Sequence, residues 1–281
     1  MKNTLFVLVS LLSLVQVQAQ KKLFPQTPGM VSYTYRNSFK NNVAATLDTI
    51  KSLGIKDMEF SNLFGKTAAE LRRLLDERGM NCSSFGVSYG DAQNKTAEVG
   101  QNAKTLGAKY VRVAWIMDKP PFTLADAQKA VETFNRIGKQ LHDEFGILFC
   151  YHNHGYEFVQ HEDGTLMDYI IRNTNPNYVG FEMDILWTFF PGQDPVALLK
   201  KYPKRFKLMH LKDLRKGIVG NLSGGTPVEN DVALGTGQIN LPAVLKAARK
   251  AGVRHYYIED ESPSVATQVP QSIAYLKNLS K

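Results

Sequence analysis

The sequence predicts a single (β/α)8 barrel, on three observations. Short apolar runs alternate with helical segments along the chain, there are eight of each, and no linker or low-complexity segment interrupts them. Short strands separated by helices form a parallel sheet that is covered by helices. Eight such units in about 260 residues fit a closed barrel better than an open doubly wound sheet. No glycine-rich phosphate-binding sequence follows a strand, which argues against nucleotide-binding folds.

The elements follow from periodicity and from stop signals such as Gly54, Gly79, Gly107 and Gly252. The predicted strands are Met30–Tyr35, Ile55–Phe60, Cys82–Val87, Tyr110–Trp115, Ile147–His154, Val179–Ile185, Phe206–Lys212 and His255–Glu259. The predicted helices are Asn42–Leu53, Thr67–Arg78, Ala92–Leu106, Leu124–Phe145, Leu166–Arg172, Pro195–Lys201, Pro242–Ala251 and Gln268–Asn278. A long loop, Leu214–Gly237, precedes the seventh of these helices.

The first nineteen residues have the pattern of a secretory signal peptide. Lys2 provides the positive end, Leu5–Val15 the apolar run, and Ala19 closes a small-residue cleavage site. We therefore expect a signal peptide over 1–19 and a barrel domain over 20–281. The mature protein would be periplasmic or secreted and free of the membrane; an uncleaved anchor is the alternative. With only two cysteines, Cys82 and Cys150, the chain is not a disulfide scaffold, and we expect buried free thiols.

The formal net charge of +8 invites a nucleic-acid interpretation. The basic residues are dispersed, however, as in the Lys200–Arg205 segment beside a predicted helix end. Solvated helix faces account for such a distribution, so the sequence predicts no nucleic-acid partner.

The segment Ile147–Phe158 contains the most informative pattern. Its apolar run ends in His152, Asn153 and His154 before Gly155. Strand side chains alternate between faces, so both imidazoles point to one side at the carboxyl end of a buried strand. This arrangement predicts a metal or catalytic site, with a pair of hydrogen-bonded core histidines as the alternative.

Charged and imidazole side chains end several other strands as well. Chemistry in such barrels occurs at the carboxyl ends of the strands, and the side chains placed there are His152, His154, Glu182, Asp184, His210, Lys212, Asp213, Glu259 and Glu261, with Glu59 from strand two. Unpaired buried carboxylates are costly, and a divalent cation would satisfy them. Mixed histidine and carboxylate ligands suit Mn, Zn, Co or Fe better than Ca, and Mg is also considered. A salt-bridge network of Lys212, Arg112 and the acids is the alternative.

Four segments resemble the xylose isomerase-like TIM barrels, a superfamily of sugar (phosphate) isomerases and epimerases, inosose dehydratases and endonuclease IV. They are Val179–Trp187, Leu208–Asp213, Leu234–Val253 and Tyr256–Glu261. The resemblance implies one divalent metal bound by Glu, Asp, His and Glu from strands five to eight. The Asp falls on Asp184, the His on His210 and the last Glu on Glu259, whereas His152 occupies the position of the first Glu.

The resemblance implies an enzyme that abstracts a proton next to a carbonyl. The family favours an isomerase or epimerase, but epimerases use glutamates of strands five and eight, and here only Glu259 remains. His152 at the other position favours elimination by a dehydratase or lyase acting on an oxidised glycoside or an inosose. Candidate bases are Glu182 and His154, because each lies two residues from a ligand. Lys212 is the candidate for neutralising oxygen charge or donating a proton.

The expected substrate is an unphosphorylated sugar or polyol, because only the weak candidate Gly220–Gly225 resembles a phosphate-binding loop. Glu59 and Arg112 are predicted to contact substrate hydroxyls, and Trp187 to form a wall for a sugar ring. Two rival interpretations are an endonuclease IV-like enzyme and a sugar-binding barrel without catalysis. The sequence leaves the oligomeric state open, with a homodimer among the options.

Overall fold

The computed structural model describes residues 22–24 and 26–279. The predicted signal peptide, 1–19, lies outside these residues, so it stays a prediction. Within the described residues, no helix combines the length and the apolar character needed to cross a membrane.

Eight parallel strands close into a barrel, as predicted. In chain order the barrel strands are β1 Gly29–Val31, β2 Asp57–Phe60, β3 Asn81–Val87, β4 Tyr110–Val113, β5 Leu148–His152, β6 Val179–Asp184, β7 Phe206–Leu211 and β8 His255–Ile258. Sequential strands are neighbours, and β1 closes the barrel by pairing with β8. A two-stranded antiparallel hairpin, Gln160–His161 with Gly164–Thr165, lies between β5 and β6.

Helices follow the strands and cover the barrel. They are α1 Arg36–Asn41, α2 Val43–Ser52, α3 Ala68–Asp76, α4 Tyr89–Asn94, α5 Thr96–Leu106, α6 Leu124–Phe145, α7 Leu166–Asn173, α8 Ile185–Phe189, α9 Pro195–Lys201, α10 Leu241–Ala251 and α11 Val265–Asn278. The sequence analysis did not separate the short helices α1, α4 and α8, because each is shorter than two turns and shows little periodicity.

Several strands are shorter than predicted. Ser32–Tyr35 forms a 3₁₀ helix instead of extending β1, and β4 ends at Val113, two residues before Trp115. The chain therefore leaves these strands one or more residues before the predicted strand ends. The side chains that follow each strand therefore surround the mouth of the barrel, where the sequence places its functional groups.

The interior of the barrel is a packed core. Val31, Tyr110, Cys150, Leu208 and Tyr257 form a buried cluster inside it, separate from the larger apolar layer between strands and helices. Cys150 lies in this inner cluster, and both cysteines are buried and free, as predicted. The inward position of Cys150 confirms the alternation that directs His152 toward the barrel axis.

Candidate active site

A cavity of about 660 Å³ opens at the carboxyl ends of the strands. Its walls include His152 and His154 from the end of β5, His210 from β7, and Glu259, which follows β8. Trp187, on α8, lines it as well. Side chains from the ends of three predicted strands thus meet at this mouth of the barrel.

Three of the four predicted metal ligands, His152, Asp184 and His210, approach one another closely enough to hold an ion, and the fourth, Glu259, lies against His210. His152 Nε2 lies 3.7 Å from Asp184 Oδ2, and His210 Nδ1 lies 4.0 Å from the same oxygen. Nδ1 of His210 is also 2.6 Å from Glu259 Oε2. Bonds of about 2.0–2.2 Å to one ion place ligand atoms about 3–4 Å apart. Asp184 Oδ2 is buried without a hydrogen-bond partner, and a bound cation would compensate the cost of burying this oxygen. The residues present fit one divalent ion.

Asp184 is held in place by its own backbone neighbours. Its Oδ1 accepts a hydrogen bond from the Trp187 N–H at 3.0 Å, because Asp184 is the N-cap of α8. The Asn153 side chain accepts from Asp184 N–H at 3.1 Å and donates to the Asp184 carbonyl at 3.2 Å. These bonds leave Oδ2 as the oxygen that is free to bind an ion.

His152 is oriented from below by Glu182. The carboxylate of Glu182 lies 3.1 Å from His152 Nδ1. Burial lowers the pKa of His152 well below its ordinary value, so the ring is neutral. A neutral ring that donates Nδ1–H to Glu182 presents the lone pair of Nε2 to Asp184 and the cavity. A histidine at this position is therefore prepared as a ligand.

Glu182 and Glu59 form a buried layer beneath the ligands. Arg112 donates to Glu59 at 2.6 and 3.1 Å and lies 3.3 Å from Glu182. His210 Nε2 lies 2.8 Å from Glu59 and 3.3 Å from Glu182. Glu59, Glu182 and His210 also approach one another closely enough to hold a cation, but the Arg112 guanidinium already lies against both carboxylates.

This layer corrects two predictions. Both carboxyl groups are fully buried and neither lines the cavity. Glu59 therefore does not contact substrate hydroxyls, and Glu182 does not reach a substrate proton as a base. The sequence placed them correctly on inward faces, but it does not reveal depth along the barrel axis. Arg112 does line the cavity, so its predicted contact with substrate hydroxyls stays a prediction.

His154 is the other candidate base, and it lines the cavity beside the ligands. Its ring centre lies 4.8 Å from that of His152. Nδ1 lies 2.9 Å from the Ala114 carbonyl, which only accepts, so Nδ1 carries the proton and Nε2 its lone pair. Burial lowers the pKa of His154 to about 3. Trp187 stacks on this ring at 5.8 Å between centres and supplies the predicted aromatic wall of the cavity.

Lys212 is buried behind Glu259 and does not line the cavity. Its Nζ lies 2.7 Å from Glu261, 3.4 Å from Asp231 and 3.8 Å from Glu259. Burial opposes its charge, but these carboxylates outweigh burial and raise the pKa of Lys212 well above 10.5. Lys212 is therefore held as the ammonium, and its predicted role toward the substrate stays a prediction. It keeps Glu259 ionised: burial alone would raise the pKa of Glu259, but Lys212 and His210 hold it below its usual range.

The family model of the xylose isomerase-like TIM barrel matches residues 47–279. The chain belongs to this family. Among solved structures, a sugar phosphate isomerase/epimerase from Parabacteroides distasonis is 24% identical, with a TM-score of 0.71 over 92% of this chain and 94% of that one. The IolI protein with a bound zinc atom is 15% identical, with a TM-score of 0.70 over 90% of this chain and 95% of that one. At these identities the likeness shows the fold.

Relatives detected by sequence are inosose dehydratases. One from Bacillus cereus strain AH820 is 36% identical over 202 residues, which are 64% of this chain and 66% of that protein. The chain spans 55 to 61% of the length of three other inosose dehydratases that it matches.

The family-like segments that contain Asp213 and Gly235–Gly237 meet in the structure. The Asp213 carboxylate accepts four backbone N–H groups, those of Leu214, Gly235, Gly237 and Ile239, at 2.9–3.2 Å. A Cβ on Gly237 would lie 2.2 Å from Asp213 Oδ1, so the close approach requires glycine. The end of the long loop is thus fastened to the end of β7.

Sequence reasoning missed Asp231 and Asn153 as parts of the site. Asp231 lies in a loop, where no periodicity signals its direction. Glu261 is among the strand-end acids of the sequence analysis, and its pairing with Lys212 belongs to the salt-bridge network given there as the alternative. Asn153 has a signal: the alternation predicts that it points away from the histidines, toward the neighbouring strand end where Asp184 lies.

Proposed function

We propose that this family member is a metal-dependent enzyme that removes a proton next to a carbonyl of an oxidised sugar or polyol and expels a β-oxygen. The observation that carries the proposal is the close approach of the ligand atoms of His152, Asp184 and His210, with Glu259 against His210 and the neutral His154 ring beside His152. The candidate metal ligands and the candidate catalytic base, His154, therefore lie next to each other.

The bound ion would polarise the carbonyl oxygen and stabilise the negative charge that develops on proton removal. His152, Asp184, His210 and Glu259 would hold it. Two imidazoles and two carboxylates suit Zn, Mn, Co or Fe. The zinc atom in the IolI structure supports this kind of ion for the fold; the metal of this chain is part of the proposal.

His154 would take the carbon-bound proton. Its Nδ1–H is fixed on the Ala114 carbonyl, so Nε2 is the acceptor that remains. Stacking on Trp187 holds the plane of the ring. Burial lowers the pKa of His154 to about 3, which keeps the ring neutral and Nε2 unprotonated at neutral pH, although a base of such low pKa is a weak one.

Elimination is favoured over isomerisation by two features. No carboxylate of β5 faces the cavity, because His152 stands where epimerases have a glutamate. Inosose dehydratases are among the relatives found by sequence. In the reaction, the α-carbon gives its proton to His154 and the electrons of that C–H bond form a C=C bond between the α- and β-carbons. The β C–O bond breaks, and its oxygen takes a proton from solvent.

The cavity favours an unphosphorylated substrate. Among the described residues, Arg112 is the one arginine or lysine that lines it, and Arg112 is already paired with Glu59 and Glu182. Acidic Asp231 and Glu261 also line it. A phosphate group would be repelled by these two carboxylates, and Arg112 is already paired with two others. We also propose that the protein is exported, as the pattern of the first nineteen residues suggests. An exported enzyme would not meet sugar phosphates, because these are intracellular compounds.

The test begins with metal analysis of the purified protein and continues with an inosose and methyl 3-oxo-β-glucoside in D₂O, followed by NMR. We expect one equivalent of metal and an unsaturated product, with water or methanol released. Deuterium incorporation into recovered substrate without release would replace elimination by isomerisation. No metal and no reaction would point to a binding protein, and three equivalents with cleavage of abasic DNA to a nuclease.

A further inference from the structure

Exposed apolar side chains are concentrated on one side of this molecule. Six large hydrophobic residues are exposed among those that the structure describes, and all six lie in segments between the carboxyl end of a strand and the next helix or at that helix's first residue: Tyr33, Trp115, Leu124, Val219, Leu222 and Val228. Single exposed apolar residues are ordinary, but a cluster around one opening marks a binding surface.

Three of the six line the cavity itself. They come from different loops: Tyr33 after β1, Trp115 after β4 and Val228 after β7. Their exposed fractions are 41%, 44% and 36%. We call these three residues the apolar rim. Because they lie on separate loops around one mouth, a ligand that enters the cavity passes between them.

Trp115 is fixed in its exposed position. Its indole N–H donates to the Met117 carbonyl at 2.7 Å. The ring packs at steep angles on Tyr156 and His154, with 4.8 and 5.3 Å between centres. An aromatic surface held this way binds a partner at little cost in side-chain entropy. The Trp115 ring also lies beside His154, the proposed catalytic base. One ligand could therefore place a sugar next to His154 and an apolar group against Trp115.

The size of the cavity agrees with such a ligand. About 660 Å³ is within the range in which proteins enclose drug-sized molecules, and it exceeds what one sugar ring requires. The ligands, His154 and Trp187 occupy the polar base, whereas the rim is apolar. The acids Asp231 and Glu261 also line the cavity and disfavour an anionic group.

We propose that the apolar rim is the binding site for a neutral, apolar aglycone, so that the substrate is an oxidised glycoside rather than a free inosose. This inference rests on the proposed function and specifies its substrate. In a 3-oxo-glycoside the C2 proton is next to the carbonyl and the aglycone oxygen on C1 is the β-oxygen. The C2–H bond breaks toward His154, C1=C2 forms, and the C1–O bond breaks. The aglycone takes up a proton and leaves as an alcohol.

The test compares benzyl and methyl 3-oxo-β-glucoside with the metal-loaded full chain. Both aglycones leave as alcohols, so kcat/KM reports mainly the contact with the rim. We expect the benzyl compound to be favoured at least tenfold, and Trp115→Ala to reduce that ratio about three- to tenfold, since aromatic contacts contribute about 0.5–1.5 kcal/mol. Leu124→Ala, at an exposed apolar residue outside the cavity, is the matched control and should keep the ratio.

Unoxidised benzyl and methyl β-glucosides, which cannot react by this route, provide an independent measurement of binding by calorimetry. Tighter binding of the benzyl compound without turnover of an inosose or of either oxidised glycoside would retain the apolar rim and refute the proposed function. Turnover of both oxidised compounds with equal kcat/KM would retain the function and refute the rim. Should Trp115→Ala fail to fold, Val228→Ala tests the same ratio from another loop, and an unchanged ratio would overturn the inference.

Discussion

Glu182→Gln separates the proposed role of this residue from a role in proton abstraction. The carboxylate lies 3.1 Å from His152 Nδ1, and it is fully buried below the cavity. Glutamine keeps the volume and one acceptor but removes the charge that supports the ring. Partners of this kind typically contribute 10- to 100-fold to metal affinity. We therefore expect a Kd for zinc 10- to 100-fold higher, or about 1.4–2.7 kcal/mol less favourable binding.

The assay is competition with a chromophoric chelator on the folded variant, checked by circular dichroism. Glu157→Gln is a matched control, because Glu157 is also a fully buried carboxylate but is bonded to Tyr151 and the His154 N–H instead of a ligand ring. If the two variants bound zinc equally well, the orientation of His152 by Glu182 would be refuted. Loss of turnover with unchanged zinc affinity would restore Glu182 as the base.

Three further outcomes follow from the contacts. His154→Gln should lower turnover by about 10²- to 10⁴-fold while the metal content, measured by mass spectrometry, stays at the wild-type level; retained turnover would exclude this base. Asp213→Asn turns an NH₂ group toward two of the four N–H donors, so the free energy of unfolding measured in urea should fall by about 2–4 kcal/mol and hydrogen exchange in the long loop should become faster. Unchanged exchange would show that the four bonds to Asp213, here called the Asp213 clamp, do not hold the loop. The pKa of Asp168 is held below its ordinary value of 3.8 because bonds from Lys201 and Tyr202 outweigh burial, so its stabilisation is present above that value and is lost as the pH falls further. The melting-temperature gap between wild type and Asp168→Asn should therefore be wide at pH 7 and narrow below pH 4.

The barrel was predictable because its signals are local. Apolar runs and glycine stops depend only on neighbours in sequence, and the stops Gly107 and Gly252 are the left-handed C-caps of α5 and α10. Alternation along β5 likewise predicted the direction of His152. Strand ends were less well predicted, as at β1, because the exit of a chain from a barrel depends on its contacts with other loops.

Depth along the barrel axis was not predictable. Glu59, Glu182 and Lys212 face inward as expected, but the level at which each side chain ends depends on strand stagger and on long-range partners such as Arg112. A sequence shows which residues share a face and not which of them are covered by another layer. Candidate roles were therefore assigned to three residues, Glu59, Glu182 and Lys212, that lie beneath or behind the ligands.

The clamp at Asp213 connects the long loop to the metal ligands. Its four bonds fasten the loop's end to β7, next to Lys212 in sequence. The same loop carries Asp231, which lies 3.4 Å from Lys212, and Lys212 holds the pKa of Glu259 down. If the loop moved away from β7, Asp231 would move away from Lys212. The Lys212 ammonium would then contact only Glu259 and Glu261 and would shift toward them. Asp213→Asn should therefore change metal affinity as well as loop exchange, although Asp213 touches no ligand. Independent changes in the two measurements would show that the loop and the ligand set are not coupled.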